Sequence, residues 1–226
     1  MDMVDLWRPT GRAELDLVAA AGWRAWPPRL PDQPIFYPVA NRWYATKIAR
    51  EWNVPDKGVG FVTRFRVRRD FLDRYPVQQA GGRDVLEHWV PAEDLEEFNA
   101  NIVGEIVCEA EYRGPVADEE FDRAEAALGR PLPAAWRRYL QGESWFRSGW
   151  RGDTFVTLYP PSETLAATEH AGAAVIGDDG ARGRLAFDLT ADPAPVSLLG
   201  ARSDAVPVAP DADAFTARVE SGDLSW

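Results

Sequence analysis

Hydrophobic and polar positions alternate along this chain in two different periods, and the switches between them mark its elements. Leu6-Trp7-Arg8-Pro9 opens as a short strand. Leu15, Val18 and Ala19 then fall on one helical face, with Thr10 as the expected cap and Gly22 as the stop. Pro27, Pro28, Pro31, Pro34 and, just beyond, Pro38 make the stretch from Trp23 an extended loop before a short strand at Ile35-Phe36-Tyr37. Asn41 is placed to cap a helix running through Trp52. In it Tyr44, Ile48 and Trp52 recur every four residues and predict a core-facing stripe. From Phe61 to Val67 the period becomes two: Phe61, Thr63, Phe65 and Val67 alternate with Val62, Arg64 and Arg66. Val85–Val90 reads as a further strand. Pro91 opens a helix with acidic residues in its first turn and Leu95 and Phe98 inward, and Ile102–Cys108 reads as a last strand.

After Gly114-Pro115 the pattern restarts with helices. Asp118 is the expected cap of a helix with Phe121, Ala124 and Leu128 on one face, stopped by Gly129. Leu132-Pro133 turns the chain into a second helix carrying Trp136, Tyr139 and Leu140. Strands are expected at Phe155–Tyr159, Ala173–Gly177, Arg184–Leu189, Pro195–Leu199 and Ala205–Val208. A short helix is expected at Ser162–Glu169 and a closing helix at Asp211–Val219. The whole reads as an α+β protein of two small domains, 1–113 and 114–226.

Charge changes the picture of partners. Residues 1–113 carry 15 basic and 18 acidic side chains, and residues 114–226 carry 10 and 18. The acidic excess sits in the second half, which disfavours a phosphate backbone as partner and favours a basic protein or an organic cation. One cysteine, Cys108, excludes an intrachain disulfide, and with only two histidines a structural zinc site is not expected. No metal is assigned. Asp178, Asp179 and Asp188 read as turn and strand-end residues. The lack of a long apolar run predicts no membrane span and a cytoplasmic protein.

Two resemblances follow from motifs. Trp7-Arg8, then a short helix, then Gly22-Trp23 resembles the opening of mono-ADP-ribosyltransferases of the arginine-serine-glutamate class, and Glu87-His88-Trp89-Val90-Pro91 resembles the segment that bears that family's catalytic glutamate. Where the class has a Ser-x-Ser motif this chain has Phe36-Tyr37-Pro38-Val39. The resemblance covers about residues 5–110 and implies a split-sheet domain. In it Arg8 would grip the pyrophosphate of NAD, Trp7 or Tyr37 would stack on nicotinamide, and Glu87 would stabilise the ribosyl cation. The second half resembles the SUKH superfamily through Glu125, Gly129, Leu132, Pro133, Trp136, Tyr139-Leu140, Gly142 and a late Phe215. That resemblance implies a protein-binding domain of the bacterial immunity type, whose partner is a toxin.

Two functions are therefore carried forward. One is an immunity-type protein that neutralises a protein toxin through its second half, with the first half as an accessory domain and no required cofactor. The other is an NAD-dependent ADP-ribosyltransferase or NAD glycohydrolase using Arg8 and Glu87.

Overall fold

A computed structural model of the chain describes residues 2–167, 170–200 and 205–224. Helices and antiparallel strands are mixed throughout, so the fold is α+β. The chain divides into two compact units, Met1–Tyr112 and Arg113–Trp226.

The first unit begins with β1 (Met3–Thr10) and α1 (Arg12–Ala20), then β2 (Ile35–Phe36), α2 (Arg42–Ile48), a π-helical turn (Ala49–Asn53) and α3 (Val54–Lys57). There follow β3 (Val59–Arg68), α4 (Arg69–Leu72), β4 (Val77–Gln79), β5 (Leu86–His88), β6 (Val90–Pro91), a 3₁₀ turn (Ala92–Asp94), α5 (Leu95–Ala100) and β7 (Val107–Arg113). β1 and β3 pair antiparallel over their full overlap, Met3 opposite Arg68 to Thr10 opposite Phe61, and β7 lies on the other side of β3. Beyond β1, Val39 bridges Trp7 on one side and Glu87 on the other. β5 then pairs with β4, with Glu87 opposite Gln78. The result is one lateral row, Trp7–Val39–Glu87–Gln78, which fixes the face on which each side chain stands.

One face of that sheet is aromatic. Leu6, Phe36, Phe65, Val67, Val90 and Phe98 are buried with Trp26 and Phe71. Trp26 meets Phe65 edge-on at 5.2 Å, and Phe98 touches Phe36, Phe65 and Phe71 at 5.3 to 6.1 Å. Such T-shaped pairs add attraction beyond the area they bury. Arg64 and Arg66 point to the opposite face and are exposed. Arg64 pairs with Asp5 and Glu109, Arg68 with Asp70 and Arg69 with Asp2, so most of the cationic run is compensated.

Three expectations for this unit are corrected. Thr10 does not cap α1: it ends β1 with its side chain buried, and Gly11 takes the cap position. The stripe Tyr44-Ile48-Trp52 is broken, for Trp52 is exposed while Tyr44, Ala45, Ala49 and Val54 face inward. The cause is the π-helical turn, which inserts an extra residue into the period. It coincides with a backbone contact. A Cβ on Gly60 would overlap the carbonyl oxygen of Ala49 and lie 2.8 Å from its carbon, so the helix rests directly on β3. The strand expected at Ile102–Cys108 begins only at Val107. Ile102 makes a single bridge to Val67, and Gly104 at φ 84° turns the chain before Ile106 enters the core. Cys108 is partly buried, and desolvation, with Glu111 adding, pushes its thiol up to about 12, so it stays protonated.

The second unit contains α6 (Asp118–Leu128), α7 (Ala134–Leu140), β8 (Trp145–Arg151), β9 (Thr154–Leu158), a 3₁₀ turn (Pro161–Glu163) and β10 (Leu165–Ala166). It continues with β11 (Ala173–Asp178), β12 (Arg184–Asp188), β13 (Val196–Leu199), β14 (Ala205–Ala209) and α8 (Ala212–Ser221). β8, β9, β11, β12, β13 and β14 pair antiparallel in that order, and β10 pairs with β11. Trp136 of α7 is fully buried against Phe187 of β12 and Phe215 of α8, which ties both helices to the sheet. Asp211 caps α8 by accepting from the Ala214 amide at 2.8 Å. Asp118, expected as a cap, instead lies inside the first turn and pairs with Arg137. The helix expected at Ser162–Glu169 is replaced by the 3₁₀ turn and β10, because Pro160-Pro161 permits one tight turn and β11 offers an open edge. Its last residues, Thr168 and Glu169, lie outside the described residues. β8 has no counterpart among the expected strands.

The Ala49–Gly60 contact yields a stability prediction. Gly60→Ala should lower the unfolding free energy by about 2 kcal/mol or more through overpacking, whereas Gly81→Ala, whose added methyl meets nothing within 4 Å, should change it by less than about 0.5 kcal/mol. Urea unfolding of the two variants beside the wild type checks this.

Candidate functional site

The side chains singled out from the sequence, Trp7, Arg8, Tyr37 and Glu87, all lie on the β1 side of the first unit. The lateral row decides which of them meet. Trp7, Val39 and Glu87 are in register, so their side chains share a face, and Tyr37 and Trp89 join them by alternation. Arg8, one residue beyond Trp7, points the other way, into the aromatic core with Phe36. Arg8 and Glu87 thus stand on opposite faces of the sheet.

Arg8 is held by a built set of partners. Its Nε donates to Glu14 Oε1 at 2.8 Å, Nη2 donates to Glu14 Oε2 at 3.3 Å and Nη1 donates to the Tyr37 carbonyl at 3.3 Å. The guanidinium lies 4.7 Å from the Phe36 ring centre and 5.7 Å from that of Trp26. This two-pronged pairing is the arrangement a planar guanidinium makes with a carboxylate, and the ring faces add a cation–π contribution. Arg29 approaches the same carboxylate at 3.7 Å, and its other donors go to the Ile35 carbonyl and to Gln33. Burial, with the charge of Arg8 adding, lowers the pKa of Arg29. Glu14 therefore serves two arginines that stand in the wall of the core.

On the opposite face Trp7 donates its indole N–H to Glu109 at 3.0 Å. The same carboxylate receives Arg64 at 2.8 Å and Arg42 at 3.2 Å, so Trp7 is one spoke of a satisfied cluster. Glu87 is about nine-tenths buried and accepts the indole N–H of Trp89 at 2.7 Å. Its charge reaches Tyr44, whose pKa is raised first by burial and then by Glu87. Tyr37 is exposed and meets Trp89 at 6.2 Å with the two ring planes at 86°. The structure brings the side chains of Glu87, Trp89 and Tyr37 together, and Arg8 reaches this group only at the Tyr37 backbone carbonyl.

His88 points away from Glu87 and is buried, with Nδ1 donating to the Tyr75 carbonyl at 2.5 Å. Desolvation lowers its pKa, against a smaller opposing effect of that hydrogen bond.

The second unit holds a cleft of about 410 Å³ lined by His170, Phe187, Asp188, Thr190 and Ser197 among others. Asp188 accepts both the hydroxyl and the amide of Thr190, which holds its carboxyl below the usual range. Asp178 accepts from the Gly180 amide and from the Tyr159 hydroxyl, and Asp179 from the amides of Ala181 and Gly183. These carboxylates organise turns. Glu125 likewise accepts the Leu132 amide at 3.0 Å and pairs with Arg137 at 3.1 Å, tying the end of α6 to the turn before α7.

Glu14, Arg29, Glu109 and Trp89 were not singled out from the sequence. Trp89 carried a usable signal, for it stands two residues from Glu87 and so on its face. Glu14 and Glu109 carried none, since only the folded sheet brings them to Arg8 and Trp7.

No model of a known protein family matches the chain, and no curated protein matches it. The two resemblances rest on the motif residues alone.

The Arg8 site and His88 each make a prediction. Glu14→Gln should destabilise the protein by roughly 2–3 kcal/mol, because it leaves two largely buried guanidiniums without their carboxylate. Asp16→Asn, which removes the exposed partner of Arg12, should cost less than about 0.5 kcal/mol. Thermal or denaturant unfolding at neutral pH compares them. For His88, the folded pKa lies below the unfolded value of about 6.5, so its contribution is present above that pH and is lost as pH falls. The stability gap between wild type and His88→Asn should narrow on acidification from about pH 8 to about pH 5.5. A gap that stays constant would refute the assignment.

Proposed function

We propose that the chain is a cytoplasmic immunity-type protein that captures a basic protein toxin through its second half, with the first half as an accessory module. The observation that carries this reading is the charge of α6. α6 carries Asp118, Glu119, Glu120, Asp122 and Glu125 against one arginine, Arg123, and Asp118, Asp122 and Glu125 gather around Arg137 of α7, in a half with 10 basic and 18 acidic residues. Asp118 and Asp122 are exposed, so the excess negative charge faces solvent, where it would speed encounter with a cationic partner and select against anionic ones. The motif residues Glu125, Gly129, Leu132 and Trp136 build the turn and the core beneath this face. Among the described residues no helix is long and apolar enough to cross a membrane.

The transferase reading requires Arg8 and Glu87 to act on one NAD molecule. Arg8 is committed to Glu14 on the far side of the sheet from Glu87, so that pair lends the reading no support. Binding therefore stands ahead of catalysis.

Co-expression with candidate basic protein toxins tests the proposal. The wild-type chain should restore growth and bind the purified toxin with an association rate that falls steeply with salt. Asp122→Lys should lower that rate about fivefold or more and flatten its salt dependence. Absence of both binding and protection, together with nicotinamide release from NAD that Glu87→Ala abolishes, would replace this reading with the enzymatic one.

A further inference from the structure

Glu87 is unusual among the carboxylates of the first unit. It is 9% exposed, yet no Lys, Arg or His among the described residues pairs with it, and its one side-chain hydrogen bond comes from Trp89. The other well-buried acidic groups of this unit do not share that state. Glu14 holds two arginines, and Glu109 holds Arg42, Arg64 and Trp7. A carboxylate withdrawn from water without a cation is costly and calls for a partner.

The surroundings indicate what that partner is. Trp89 and Tyr37 are 49% and 39% exposed and stand perpendicular, so two aromatic walls meet beside the carboxylate. The Trp89 indole N–H on Glu87 Oε1 orients the carboxylate and the ring together. The backbone beneath is fixed by paired strands, with Phe36 opposite Val90, Val39 opposite Glu87 and the Ala40 amide on the Leu86 carbonyl at 2.9 Å. Glu87 thus stands in β5, and Tyr37 and Trp89 stand on short connections held on both sides by these backbone pairs. A buried negative charge flanked by exposed π faces fits an organic cation, which gains from both. A hard metal ion requires more oxygen ligands than one carboxylate supplies, and among the described residues no group of three acidic, His or Cys side chains gathers.

We infer that Glu87, Trp89 and Tyr37 form a recognition site for an alkylammonium group, such as a lysine side chain or a quaternary amine. The site lies in the first unit and stands or falls independently of toxin capture by the second. It also gives Glu87 a role that needs no contribution from Arg8.

The test uses the full chain labelled with ¹⁵N, following the Trp89 indole N–H resonance, assigned by its loss in Trp89→Phe. Tetramethylammonium and Nα-acetyl-lysine methylamide are the probes. Neopentyl alcohol, of matching shape and no charge, is the control, and NAD and free nicotinamide form a separate arm. Saturable shifts with a dissociation constant on the order of 1 mM are expected for one or both cations, with no shift from the alcohol. Glu87→Gln keeps an acceptor for the indole and should weaken binding at least about tenfold. Tyr37→Leu, at an exposed position, should weaken it about threefold or more while leaving unfolding unchanged. Saturation by the lysine derivative alone would assign the site to a protein side chain, and saturation by tetramethylammonium alone to a quaternary amine. Either supports the inference. A flat response to both cations, an equal response to the alcohol, or a response confined to NAD or nicotinamide would overturn it.

Discussion

The register Trp7–Val39–Glu87 governs the first unit. Strand side chains alternate between faces, so one set of backbone bridges settles the neighbours of every functional candidate at once. It sends Arg8 inward to Phe36 and Glu14, and it keeps Trp7, Tyr37, Glu87 and Trp89 on the other side. A slip of one residue would exchange the two groups, placing an arginine among the exposed aromatics and a tryptophan in the core. The Arg8–Glu14 pair opposes that slip, because moving it would leave charges unpaired in the aromatic core.

The second unit is organised differently. Its sheet is a meander whose strands pair in chain order apart from the short β10, and α7 and α8 are held by an aromatic cluster centred on Trp136. Polar groups here mainly shape the chain. Glu125 closes the turn between α6 and α7, Asp179 closes the hairpin before β12, and Asp211 starts α8. What remains for a partner is the solvent face of α6, where carboxylates outnumber the one arginine among them.

Much of this was legible in the residues. The period-two run of β3, the cap at Asn41 and the inward Leu95 and Phe98 are local signals, and the structure contains each of them. The misreadings arose where a distant contact overrode a local pattern. Trp52 lost its place in the stripe because Ala49 had to meet Gly60. Thr10, a reasonable cap by type, was drawn into β1 by pairing with Phe61. The strand at Trp145–Arg151 went unseen because Arg147-Ser148-Gly149 interrupts its apolar residues, Trp150 is exposed, and Arg151 supplies one of its buried positions, its Nε donating to the Val219 carbonyl at 2.5 Å. At the candidate site, residue identities were readable but their sidedness was not, since it depends on which strand Val39 joins.

The contact between Ala49 and Gly60 has an evolutionary consequence. Gly60 has no room for a Cβ against the Ala49 carbonyl, and Ala45 and Ala49 are fully buried, so drift at these positions is confined to the smallest residues while the flanking surface changes freely. Ala45, Ala49 and Gly60, spaced four and eleven apart, form a fingerprint that would outlast overall sequence identity. A distant relative sharing this helix-on-strand packing can be recognised by that spacing even where the residues around Glu87 have been replaced.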